Sequence, residues 1–301
     1  MSDVPYVSLL DFASTFGASS GDLPTWVHPD AAAPHVLEQV GLRRRIEDVL
    51  DTVVALQRAE WLHDGVYAGP TAMPGVYRDV LHCARTLGVA VPPAILAGAA
   101  QRSQGCFGTD DRAFLYLSTF FFDPASEGER RFLAGRLCGH IAAQHVTAST
   151  LYALLVDQNG IRSLARKGVG PVLEVILAPL SVGVRLALSR WHRAAEITAD
   201  RAGLLCCRDL EDAGKALLRI SLGRKPDIDV ATYLEQLRKS RNAPGKWTEL
   251  LSDQPFTHKR LEALSAFNRS ALWAELTGEE VEDPMPREEL DRVTSRLLGV
   301  S

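Results

Sequence analysis

The chain has 301 residues, 46% of them hydrophobic, with 33 Lys and Arg against 37 Asp and Glu for a formal net charge of -4. This is the composition of a globular protein with a sizeable core, and it offers no broad basic field, which argues against nucleic acid as a partner. The five cysteines are odd in number and form no CxxC pair, so reduced, mostly buried thiols are expected.

Residues 1–33 carry no clear period and are expected to form an N-terminal extension. The start, Met-Ser-Asp-Val, lacks the basic residues and apolar core of a signal peptide, which predicts a soluble, cytoplasmic protein. Val36, Leu37, Val40, Ile46, Val49, Leu50, Val53 and Leu56 recur at helical spacing, predicting a long amphipathic helix over 34–62, bent near Gly41. Pro74 and Gly88 punctuate a second helix. Val89 to Leu96, with Pro92 and Pro93, reads as a short edge strand, and Cys106 to Leu117, with Gly108-Thr109-Asp110-Asp111 between its arms, reads as a hairpin.

Ser126 and Glu129 spell a capping box and place a helix over 126–146. The apolar window at 169–188 approaches the length of a bilayer span, but Glu174, Pro179 and Arg185 favour a buried or lid-like hairpin. It is the one stretch, at 170–188, that could meet a membrane. Further helices are expected over 193–207, 210–220, 229–240 and 256–267. An acidic linker at 278–286 leads to a final short helix over 287–298.

Two spellings point to chemistry. A zinc hydrolase needs two histidines one helical turn apart with a glutamate beside the first, H-E-x-x-H, so that both imidazoles face one ion and the carboxylate activates its water. The helix at 126–146 offers Arg136-Leu137-Cys138-Gly139-His140: the second histidine is kept, an arginine stands for the first, and a leucine stands for the base. Further on, Glu196-Ile197-Thr198-Ala199-Asp200-Arg201-Ala202-Gly203 sets two carboxylates one turn apart.

In this order, the segments resemble the zinc metallopeptidases related to HtpX and the CAAX prenyl endopeptidase. The resemblance rests on Gly135 to Ile141, with His145 at a later histidine, on Glu196 to Gly203, and on flanking segments from Val76 to Phe267 that include Arg260. It implies a mainly α-helical α+β, zincin-like fold with a small sheet, a peptidase-like domain over 34–270 and a tail over 271–301. By position it makes His140 and Glu196 vestigial metal ligands, Asp200 the acid that steadies a ligand, Arg136 the lost first ligand and Leu137 the lost base. No catalytic residue is then expected.

Two expectations follow for the site. Either Arg136 replaces the metal's charge through a salt bridge to Glu196 and Asp200, with no cofactor, or zinc persists on a rearranged set in which His192 or His145 joins His140 and Glu196, with Cys138 as a further candidate donor. Geometry on a regular helix favours structural roles for His145, five residues past His140, and for Cys138, on the opposite side. The leading functional reading is a catalytically inactive pseudopeptidase that binds a protein or an extended peptide along residues 107–117. The alternatives are an active zinc metalloendopeptidase with an atypical ligand set, and a structural subunit of an assembly.

Overall fold

The computed structural model describes residues 23–32, 43–98, 104–156, 182–224, 228–239 and 257–299. The elements run α1 (Arg43–His63), β1 (Gly65–Ala68), α2 (Pro74–Leu87), β2 (Ala94–Ala97), β3 (Gly105–Gly108), β4 (Ala113–Ser118), the single turn α3 (Thr119–Phe122), α4 (Glu127–Ala142) and α5 (Val146–Val156). They continue as α6 (Val182–Cys207), α7 (Leu210–Leu222), α8 (Val230–Lys239), α9 (Thr257–Asn268), α10 (Ala271–Thr277) and α11 (Arg287–Leu297). The fold is the expected mainly helical α+β one. The bend near Gly41 and most of the 169–188 window lie outside the described residues; among these, no helix is long and apolar enough to cross a membrane.

Local signals account for several boundaries. Gly88 closes α2 in the left-handed conformation at φ 69°, which costs glycine little. At α4 the Ser126 hydroxyl accepts from the Glu129 N–H, and the Glu129 carboxylate accepts from the Ser126 N–H, a complete capping box. That carboxylate also takes Arg219 of α7 at 2.7 Å, so the cap is anchored to a second helix.

The sheet has the order β1-β2-β4-β3. β2 runs parallel to β4 with Ile95 opposite Tyr116, while β1 and β3 pair antiparallel on the outside. This corrects the edge-strand expectation: the strand after Pro92 and Pro93 covers only Ala94–Ala97 and is internal. Its outer neighbour, the four-residue β1, was not anticipated. On one face, Leu96, Leu115 and Leu117 join Phe132, Leu133 and Leu137 of α4 in the core. On the other, Trp61 of α1 packs on Phe107, Phe114 and Tyr116 at centroid distances of 4.7, 5.7 and 4.1 Å.

The helix expected over 126–146 ends at Ala142. Gln144 takes φ 55°, the chain turns, and α5 begins at Val146. α4 and α6 cross closely because small residues line the contact. A methyl group at Gly139 would lie 2.4 Å from the Ala202 Cβ, and one at Gly135 would lie 2.8 Å from the Cys206 Sγ. Only glycine permits that approach.

Residues 23–32 lie against α6 and α11. Arg201 donates to the Trp26 carbonyl at 3.2 Å, Arg287 to the Thr25 carbonyl at 2.8 Å, and the His28 N–H to Thr198 Oγ1 at 3.3 Å. His28 and Ala31 are buried. This part of the expected extension is therefore packed into the fold.

Candidate functional site

The close crossing of α4 and α6 sets Arg136 against Glu196 and Asp200. Arg136 Nη2 donates to Glu196 Oε2 and Nε donates to Asp200 Oδ1, each at 2.5 Å. Glu196 and Asp200 share a face of α6 because they are four residues apart. All three side chains are buried.

A second guanidinium arrives from α9. Arg260 donates from Nε to Asp200 Oδ2 and from Nη2 to Asp200 Oδ1, both at 2.7 Å, and its Nη2 lies 3.6 Å from Glu196 Oε2. Two arginines thus face two carboxylates, and the group is electrically neutral when the neighbouring imidazoles are uncharged. This matters because an unpaired buried charge costs several kcal/mol. Burial alone would raise the Glu196 carboxyl, but Arg136 first, then His140 and Arg260, outweigh it and hold it well below the usual carboxylate range. For Arg260, burial works against the charge, yet Asp200 and Glu196 overcome it and raise the guanidinium's pKa.

His140 and His192 approach the other oxygen of Glu196. Their Nε2 atoms lie 3.5 and 3.9 Å from Oε1, and the His192 ring stacks on Tyr152 of α5 at 4.2 Å. These separations exceed those of good hydrogen bonds.

The break at Gln144 changes the position of His145. It leaves the line of α4, and its ring centroid comes within 5.6 Å of that of His140. Its Nε2 is taken, however: it lies 2.7 Å from the Ala31 carbonyl, which also accepts Trp191 Nε1 at 3.2 Å. A carbonyl only accepts, so Nε2 carries the proton. Burial, reinforced by His140, pushes the His145 imidazole down to about 3. His145 is a neutral structural group tied to residues 23–32.

Cys138 is fully buried on the side of Cys83 and Cys106, and burial raises its thiol well above the ordinary range. Leu137 belongs to the core. It can neither accept a proton nor orient water.

The position one turn before His140 cannot serve a zinc ion. A zinc ligand offers a lone pair, whereas that position holds a guanidinium that only donates N–H groups. Among the described residues, no three His, Cys, Asp or Glu side chains converge to hold a metal.

Comparison with known families assigns the class: residues 76–268, more than half of the chain, match the model of peptidase family M48. The chain belongs to that family, whose members are normally zinc-dependent peptidases with a zincin-like fold. No curated protein and no solved structure matches it.

Arg260 is the site residue whose role the sequence left unread. It was visible as part of a late segment, but nothing in the spacing said that α9 would deliver it to Asp200. Tyr152 likewise gave no signal, because the turn that aims α5 at His192 contains no glycine or proline.

Proposed function

We propose that this M48 protein is a non-catalytic, peptidase-like protein that keeps the fold of a zinc peptidase and uses it to bind an extended segment of another protein. The observation that carries the reading is the Arg136 fork on Glu196 and Asp200. The guanidinium supplies beside the two carboxylates the positive charge that a metal would otherwise supply. Leu137 supports the same reading, since water activation in this class requires a carboxylate there.

The test compares the unmodified protein with Arg136→His/Leu137→Glu, prepared without chelator and supplemented with zinc. Elemental analysis and casein cleavage are measured on both. Zinc and cleavage confined to the double variant support the reading; stoichiometric zinc and metal-dependent cleavage by the unmodified protein overturn it.

One observation favours a second reading, an active enzyme with an atypical ligand set: His140 and His192 approach the same oxygen of Glu196 from two helices. Under that reading His192→Ala abolishes bound zinc in the unmodified protein. Under the first, there is no zinc to lose.

A further inference from the structure

The sheet has two outer strands, and they are not equivalent. α5 runs beside β3 and is fastened to it. The Gly108 N–H donates to Thr150 Oγ1 at 3.1 Å, the Asp110 N–H donates to Thr147 Oγ1 at 3.0 Å, and Asp110 Oδ1 accepts the Val146 N–H at 2.8 Å. Thr150 stands where the carbonyl of an incoming strand would stand. A polypeptide could pair with β3 only by displacing α5.

Among the described residues, no helix is fastened along the outer side of β1 in this way. The strand pairs with β2 on one side and is the last strand on the other. Of the six exposed large hydrophobic residues among the described part of the chain, two are in β1, Val66 at 46% and Tyr67 at 40%, and a third, Met73 at 44%, ends the loop that follows it. Met73 also holds a left-handed backbone at φ 52°, an uncommon state for a non-glycine residue. An outer strand that presents apolar side chains is the arrangement that proteins usually suppress unless something pairs with it.

We propose that the outer edge of β1 is the docking edge, and that its occupant is an extended segment of another polypeptide with alternating apolar residues and a lysine or arginine at the end that meets Asp64. Main-chain hydrogen bonds would add a strand to the sheet. The charge preference comes from Asp64, 78% exposed at the entrance to β1, whose carboxylate lies 3.0 Å from Nδ1 of the equally open His63. A second copy of this chain satisfies the edge less well. Paired antiparallel about Val66 and Tyr67, it would set Gly69 opposite Asp64 and Pro70, which has no N–H, beyond it. The inference rests on the reading of the protein as a binder of extended segments and moves the place of binding from residues 107–117 to β1.

The experiment uses the full chain, isotopically labelled, titrated with a synthetic peptide of alternating valine and threonine between terminal lysines. The same peptide with terminal glutamates is the comparison. Saturable amide shifts centred on residues 64–68, with affinity at least about tenfold lower for the glutamate peptide, support the proposal. Tyr67→Pro, which removes an outward N–H, and Tyr67→Asp, which keeps the backbone, should each weaken binding by about tenfold or more, while Leu222→Asp, at an exposed site elsewhere, should not. No binding of the lysine peptide, shifts centred on β3 and Thr150, equal affinity for the two peptides, or concentration-dependent self-pairing through β1 would each overturn it. The readout is binding, so proteolytic activity in the unmodified protein would defeat the non-catalytic reading and leave this result unaffected.

Discussion

Arg136 and Arg260 meet on a single oxygen. Asp200 Oδ1 accepts Arg136 Nε at 2.5 Å and Arg260 Nη2 at 2.7 Å, so one fully buried carboxylate joins α4, α6 and α9. Asp200 is therefore the hub of the charged group, and Glu196, which makes its close ion pair with Arg136 alone, is a branch.

Asp200→Asn should destabilise the protein by about 3–5 kcal/mol, since it leaves two buried guanidiniums short of a counter-charge. Glu196→Gln should cost less, because Asp200 still serves both arginines. Urea denaturation at neutral pH measures both. A larger loss for Glu196→Gln would contradict the hub assignment.

Acid should weaken the fold well before the carboxylates titrate. His145 is neutral when folded, with its pKa down at about 3, while an unfolded histidine titrates near 6.5. Between those values the unfolded chain binds a proton that the folded chain refuses, so stability rises with pH. The contribution approaches about 1.4 kcal/mol per pH unit. His28, lowered chiefly by burial and then by Arg201, acts in the same direction. The stabilisation carried by Glu196 is present above the ordinary glutamate value and is lost only in stronger acid, as pH falls through its depressed folded pKa. Unfolding free energies measured from pH 7 to 4 should fall, and His145→Gln should flatten the slope.

Gly139→Ala should cost about 1–3 kcal/mol, because the new methyl group would lie 2.4 Å from the Ala202 Cβ on a packed helix and neither backbone can yield freely. Gly75→Ala, near the start of α2 with nothing within 4 Å of the added atom, should be neutral or slightly stabilising. The contrast in thermal midpoints separates crowding at the helix crossing from any general effect of losing a glycine.

Thr150→Val removes the oxygen that accepts the Gly108 N–H and keeps the side-chain shape. A cost of about 1 kcal/mol is expected, with faster hydrogen exchange at Gly108 and no change at the amides of β1. Unaltered exchange at Gly108 would show that α5 does not hold that edge.

Much of the fold is legible because its signals are local. Pro74 and Gly88 bound α2, Ser126 and Glu129 open α4, and Gly108 to Arg112 turn β3 into β4; each works through neighbours in sequence. Strand order is a tertiary property. The prolines before Ala94 suggest an edge, but they end before the strand begins and leave its N–H groups free to pair on both sides. β1 is too short for a period to declare itself. Within the site, the turn-by-turn spacing of Arg136 with His140 and of Glu196 with Asp200 is visible in the sequence. The arrival of Arg260, sixty residues after Asp200, is decided by how α9 packs. The turn at Gln144 escapes notice because an ordinary residue adopts the left-handed state there.

The fork on α6 has one consequence for how the protein depends on its surroundings. A metal's occupancy follows the concentration of free ion and can be reversed by any stronger chelator, whereas the guanidinium of Arg136 is carried by the chain itself. The cation that Arg136 sets against Glu196 and Asp200 is thus supplied at translation, without an ion from solution.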